Sequence, residues 1–159
     1  MRRPDALTDG APPALDDRAR RGLVDLYEEL DRRLAALADR GAHCRACGRC
    51  CRFADWGHEV WLTGLELAYL VESAGARSPT EPATCPYLDA RGRCAAREGR
   101  TVSCRVFFCE LPAEAAESLY AEASARLDEL HRRSGVERRY GELLASLARS
   151  DARGRGGDH

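Results

Sequence analysis

The sequence predicts a small, mainly α single domain in which amphipathic helices flank an irregular, cysteine-rich metal-binding centre. Three observations predict it. Leucines recur at helical spacing towards both ends of the chain, and eight cysteines fall in two stretches between them. The length, 159 residues, suffices to bury one core and little more.

Taken in order, residues 1–15 form a Pro- and Asp-rich stretch that reads as a flexible tail. The domain proper is expected over residues 16–150. Leu23, Leu26, Tyr27, Leu30, Leu34 and Leu37 recur at three- and four-residue steps, the stripe of an amphipathic helix. Asp16 or Asp17 can cap its start and Gly41 can end it. After the first cysteine group, residues 58–62 read as a short extended segment. Thr63 followed by Glu66 has the form of a capping box, which predicts a helix over 64–73 that buries Leu65, Leu67, Ala68, Leu70 and Val71.

Residues 75–84 carry Pro79 and Pro82 and read as a loop. The second cysteine group, from Cys85 to Cys109, is rich in Gly and Arg, so no regular structure is expected there. Pro112 suits a first helical turn, and Leu119, Tyr120, Ala123, Leu127 and Leu130 predict a helix ending near Gly135. A shorter helix is expected to carry Val136, Tyr140, Leu143, Leu144 and Leu147, before a disordered tail over 151–159.

Composition narrows the function classes. There are 26 acidic and 25 basic residues, a formal net charge of −1, so no global field draws the chain to nucleic acid or an anionic membrane. Lysine, asparagine, glutamine and isoleucine are absent. Every basic side chain but histidine is therefore arginine, which weakens arginine richness as a sign of function. No apolar run suits a signal peptide at the N-terminus, and none approaches the roughly 20 residues of a membrane span. The expected compartment is the cytoplasm, with no membrane partner. Thiols stay reduced there, so metal ligation accounts for eight cysteines better than four structural disulfides do.

The first group is Cys44-x2-Cys47-x2-Cys50-Cys51. Two-residue gaps let thiolates on one tight loop converge on a metal at about 2.3 Å. Bacterial ferredoxins grip a [4Fe–4S] cluster with a similar run and a distal Cys-Pro, which Cys85-Pro86 could supply. The neighbours Cys50 and Cys51 leave the backbone in different directions, so one of them faces a second site or completes the first while a sibling does so. One grouping is Cys44, Cys47 and Cys50 with Cys85, and Cys51 with Cys94, Cys104 and Cys109. Other groupings of the eight remain open.

Thiolate-rich centres carry excess negative charge. Arg45, Arg49 and Arg52 interleave the first group, while Arg91, Arg93, Arg97, Arg100 and Arg105 flank the second, as counter-charges would. Nucleic-acid stacking on Phe53, Trp56 and Phe107 is the competing use of this region, and the neutral balance disfavours it. His43 and His58 are expected to support the site or simply to lie at the surface, rather than to ligate. Asp55, Glu59, Glu66 and Asp89 show no pairing that suggests acid–base chemistry, so no catalytic residue is assigned and an enzyme is disfavoured.

These motifs resemble the YkgJ-type cysteine-cluster proteins, a bacterial family described as zinc- or iron-chelating. The resemblance covers Cys44 to about Cys109: Cys-Gly-Arg-Cys-Cys at 47–51, the Val60–Glu66 stretch, Cys85-Pro86-Tyr87-Leu88-Asp89, Gly92-Arg93-Cys94 and Cys104-Arg105-Val106-Phe107. Ala96-Arg97 stands where the family has Ile-Tyr, and Arg100-Thr101 where it has Arg-Pro. The resemblance implies a metal- or cluster-binding module. Flagellin lysine methylases carry a similar cluster within an enzyme.

The expected function is thus a protein holding an iron–sulfur cluster, or iron or zinc ions, for electron transfer, metal or cluster handling, or sensing. The alternatives are a zinc-stabilised interaction module and an accessory subunit of a metal-dependent enzyme. In the structural alternative the metal makes up for a core poor in large residues, since aromatics are only 6% of the chain. Metal ions are the expected partners, and a helical face could also serve a protein partner or a second copy.

Overall fold

A computed structural model describes residues 11–154. It is mainly α, with six α-helices and one two-stranded sheet among the described residues. Residues 1–10 and 155–159 of the two expected tails lie outside that range.

Helix α1 spans Asp17–Ala38, and the carboxylate of Asp16 accepts from the Ala19 N–H at 2.7 Å to cap it. Its leucine stripe packs along α5, Ala113–Ser134. Pro112 precedes α5, and Gly135 ends it in the left-handed conformation that only glycine adopts without strain (φ 68°). These two long helices, with Leu65, Val102, Val106 and Leu111 against them, form one core that contains no cysteine. The chain therefore builds a substantial apolar core from leucine and alanine, despite its few aromatics. Each buried leucine contributes about 1.5–3 kcal/mol.

The second core lies beside it and is where the cysteines are. It joins Phe53, Val60, Leu62, Leu67, Leu70, Tyr87, Leu143 and Leu147 with buried Cys85, and Cys51, Cys94 and Cys104 pack against it. Between the cores runs α3, Gly64–Ala74, which begins with the expected capping box: Thr63 accepts from the Glu66 N–H, and the Glu66 carboxylate from the Thr63 N–H.

Three sequence expectations are corrected. Residues 140–142 are strand β2 (Tyr140–Glu142), not helix, and pair antiparallel with β1 (Trp61–Thr63), Leu62 facing Gly141. Helix α6 starts only at Leu143 and runs to Gly154, four residues into the stretch expected to be a disordered tail. Sequence pattern alone misread 136–142 because three apolar residues at helical spacing also fit a short strand with a half-buried face.

The second cysteine group is not wholly irregular, since Val102–Val106 is a short helix, α4, capped by the Thr101 hydroxyl, which accepts from the Cys104 N–H. In the first group a 3-10 turn, Arg49–Cys51, leads into α2, Phe53–Trp56. Among the described residues no helix is long and apolar enough to cross a membrane.

Candidate metal centre

Three local structures carry the cysteines together. The first is the loop after α1, where Gly48 takes a left-handed conformation (φ 71°) ahead of the 3-10 turn bearing Cys50 and Cys51. The second is a tight hairpin: Leu88 bridges Cys94, the Ala95 N–H donates to the Tyr87 carbonyl at 2.8 Å, and the Asp89 carboxylate accepts from the N–H groups of Arg91 and Arg93. The third is α4, which presents Cys104.

These pieces interlock through backbone. Arg52 bridges Thr84, and the Cys85 N–H donates to the Cys51 carbonyl at 2.9 Å, so Cys51 and Cys85 face each other across an antiparallel register. The hairpin tip lies against Gly48 so closely that a Cβ there would stand 2.2 Å from the Gly92 carbonyl oxygen. Glu66, fully buried, uses its second oxygen to accept from the Val102 N–H at 2.8 Å, which ties the start of α4 to the start of α3. Burial raises the Glu66 pKa against the opposing pull of these backbone donors.

Five sulfurs consequently interact. The thiols of Cys50 and Cys51 hydrogen-bond, as do those of Cys51 and Cys85, and the charge of Cys94 is felt at Cys51 and at Cys104. The hydrogen bond to Cys51 raises the Cys50 pKa well above the ordinary thiol value. At Cys51 the hydrogen bond from Cys50 lowers the pKa, but the bond to Cys85 and burial outweigh it, and the thiol is pushed up to about 12. Burial pushes Cys104 up to about 11. None of the eight cysteines forms a disulfide.

The other three lie at the margin. Cys44 is half-buried, like Cys51, Cys94 and Cys104, and Cys47 and Cys109 are exposed, as Cys50 also is. What sets the three apart is that none of them is among the five thiols that interact. Glu110 pairs with Arg45 and approaches His43 at 3.6 Å, which sets the Cys109 end of the second group beside the residues flanking Cys44. The bridge at 52 and 84 places Cys85 beside Cys51, two residues that the grouping offered from sequence assigned to different sites. Among the described residues, no three Cys, His, Asp or Glu side chains already stand about a common point as the ligands of one ion. Cys50 with Cys51 and Cys51 with Cys85 are the directly interacting thiol pairs, and Cys94 and Cys104 lie within reach of their charge.

The arginines divide by partner. Arg100 fills the expected counter-charge role: its charge acts on Cys44, Cys50 and Cys104. Burial, then the charges of Arg97 and Arg105, lower its pKa. Arg105 does not face the sulfurs. It is buried, pairs with Asp31, donates to the carbonyls of Glu98 and Arg100, and lies over the Tyr27 ring at 4.2 Å. Arg45 turns to Glu110, and Arg49 lies over the Trp56 ring. His58 Nε2 sits 3.1 Å from the Cys50 carbonyl and supports the turn that carries the thiol. Phe53 is buried against His58 and offers no face to a base, whereas Trp56 and Phe107 are exposed.

The clamp by Glu66 and the hub at Arg105 were not read from sequence. Thr101, three residues before Cys104, was the available signal for α4, since that spacing caps a helix.

No family model matches the chain, and neither a curated protein nor a solved structure does.

Proposed function

We propose that the chain is a metal-binding protein whose clustered thiols hold an iron–sulfur cluster or iron, with a role in electron transfer, in metal or cluster handling, or in sensing. The observation that carries this reading is the meeting of five sulfurs from four separate stretches: Cys50 and Cys51, Cys85, Cys94, and Cys104. Soft thiolates are the ligand type that selects iron–sulfur clusters and zinc. The donor set fits in chemistry and number, and Arg100 supplies positive charge beside it.

Cys50, Cys51, Cys85, Cys94 and Cys104 would be the principal ligands, with Cys44, Cys47 and Cys109 near enough in the chain to complete or extend the set. Ligation requires the side chains to turn towards a common point and the thiols to lose their protons to the metal's advantage. Bound metal would supply soft Lewis-acid or one-electron chemistry. The chain's own part is to gather the sulfurs, hold them by backbone bonds and set a cation beside them. The cysteine motifs that resemble the YkgJ-type family support the same reading.

A zinc-stabilised structural module is the second reading. Its supporting observation is the position of Cys85 inside the second core, with Cys51, Cys94 and Cys104 packed on it. Metal at that place would stabilise the half of the fold that has fewer apolar residues.

Anaerobic purification followed by elemental analysis and a visible spectrum tests both. The expected result is brown protein with broad visible absorption and bound iron. Colourless protein with stoichiometric zinc would transfer the assignment to the structural module. Protein purified anaerobically that carries neither metal, and takes up neither on reconstitution, would remove both readings.

A further inference from the structure

An open cleft of about 430 Å³ lies beside Cys44 and Arg100, in the range of small-ligand sites. One wall is apolar, made by Leu34 and Ala38 of α1 with Phe108. Cations share the lining. Arg97 and Arg100 belong to it, and among the described residues neither has a carboxylate within ion-pair distance. Arg100 uses its Nε to donate to the Arg97 carbonyl at 3.3 Å, and its terminal amino groups have no acceptor there. Two acids lie on the cavity: Asp31 is engaged by Arg105, and Glu98 is exposed at the rim.

We infer that this cavity binds a small organic monoanion with an apolar tail, its carboxylate held by Arg97 and Arg100 and its tail lying along Leu34, Ala38 and Phe108. The chemistry follows from the lining. Guanidinium groups donate paired N–H bonds that match a carboxylate, and such charge-assisted bonds are stronger than neutral ones. The apolar wall gains from covering a hydrocarbon chain and gains nothing from a bare inorganic ion. Arg100, which also acts on Cys50 and Cys104, and Cys44 line the cleft, so the bound head group would sit at the edge of the thiol cluster. That last placement rests on the metal-binding reading, whereas the binding itself does not.

Calorimetric titration of the full-length protein with octanoate tests the inference, in metal-loaded and metal-free forms. Saturable binding at one molecule per chain is expected, with octanol and acetate each at least tenfold weaker. Arg97→Ala should weaken octanoate by about tenfold or more without changing metal content, because Arg97 is exposed and Arg100 is the cation that acts on the sulfurs. Ala35→Phe, at an exposed position of α1 on the cavity, should block the tail and abolish binding while leaving the fold intact. Octanoate that does not saturate, octanol that binds as tightly, or binding indifferent to both substitutions would overturn the inference. Octanoate binding by a protein that takes up no metal would sink the metal reading and leave this one standing. Metal uptake without octanoate binding would do the reverse.

Discussion

Replacing Cys51 and Cys85 together by serine is expected to reduce bound metal to less than about a tenth of the wild-type content. These two residues face each other in register, and their thiols interact directly, so the pair occupies the middle of the five-sulfur cluster. Removing both leaves Cys50, Cys94 and Cys104 without the sulfurs that connect them, and an incomplete site binds poorly. The far-ultraviolet signal should persist in large part, because the α1–α5 core contains no cysteine. Cys109→Ser provides the comparison: its thiol is exposed and outside the five, so it should lose far less metal than the double variant. Full metal content in the double variant would mean that the central sulfurs are not ligands.

Substitution of Gly48 by alanine is expected to cost about 2–4 kcal/mol, from a left-handed backbone and from displaced packing together. The added Cβ would meet the Gly92 carbonyl at 2.2 Å and Leu88 at 2.7 Å, so the two cysteine-bearing loops must part. Metal content should fall with stability, and the melting temperature should drop by about 5–15 °C. Gly41→Ala separates the two causes. Gly41 also has positive φ, 96°, but its Cβ would meet nothing within 4 Å, so backbone strain should act there without loss of metal. Equal metal loss in both variants would show that loop contact at Gly48 does not organise the site.

How much of this was legible in the sequence depends on the range of the contacts. Local signals were clear. The Leu23–Leu37 stripe, the Asp16 cap, the Thr63–Glu66 box and Gly135 each act within a few residues, and each fixed an element near its observed bounds. Long-range pairing was not. Tyr140–Glu142 becomes a strand only because Trp61–Thr63 lies beside it, and α4 is held by a carboxylate 36 positions upstream.

The candidate site divides in the same way. Cysteine spacing singled out the sulfurs as candidates, but the expectation that Cys50 and Cys51 look in different directions does not hold, since their thiols interact with each other. Which sulfur meets which was set by the bridge at residues 52 and 84, a backbone contact with no signature in spacing. The arginine pattern was similarly ambiguous: eight flanking cations read alike in sequence, yet Arg105 serves Asp31 and Tyr27 while Arg100 serves the thiols. The α1–α5 core also changes the expectation that metal replaces a missing core. Metal would stabilise the second core, and the first stands on its leucines.

X-ray absorption at the metal edge of anaerobically purified protein tests the meeting of thiols around an inorganic centre most directly. The account predicts a first coordination shell dominated by sulfur at about 2.3 Å, lost in the Cys51 and Cys85 double variant. A shell of only nitrogen and oxygen, with the sulfurs still free, would contradict it.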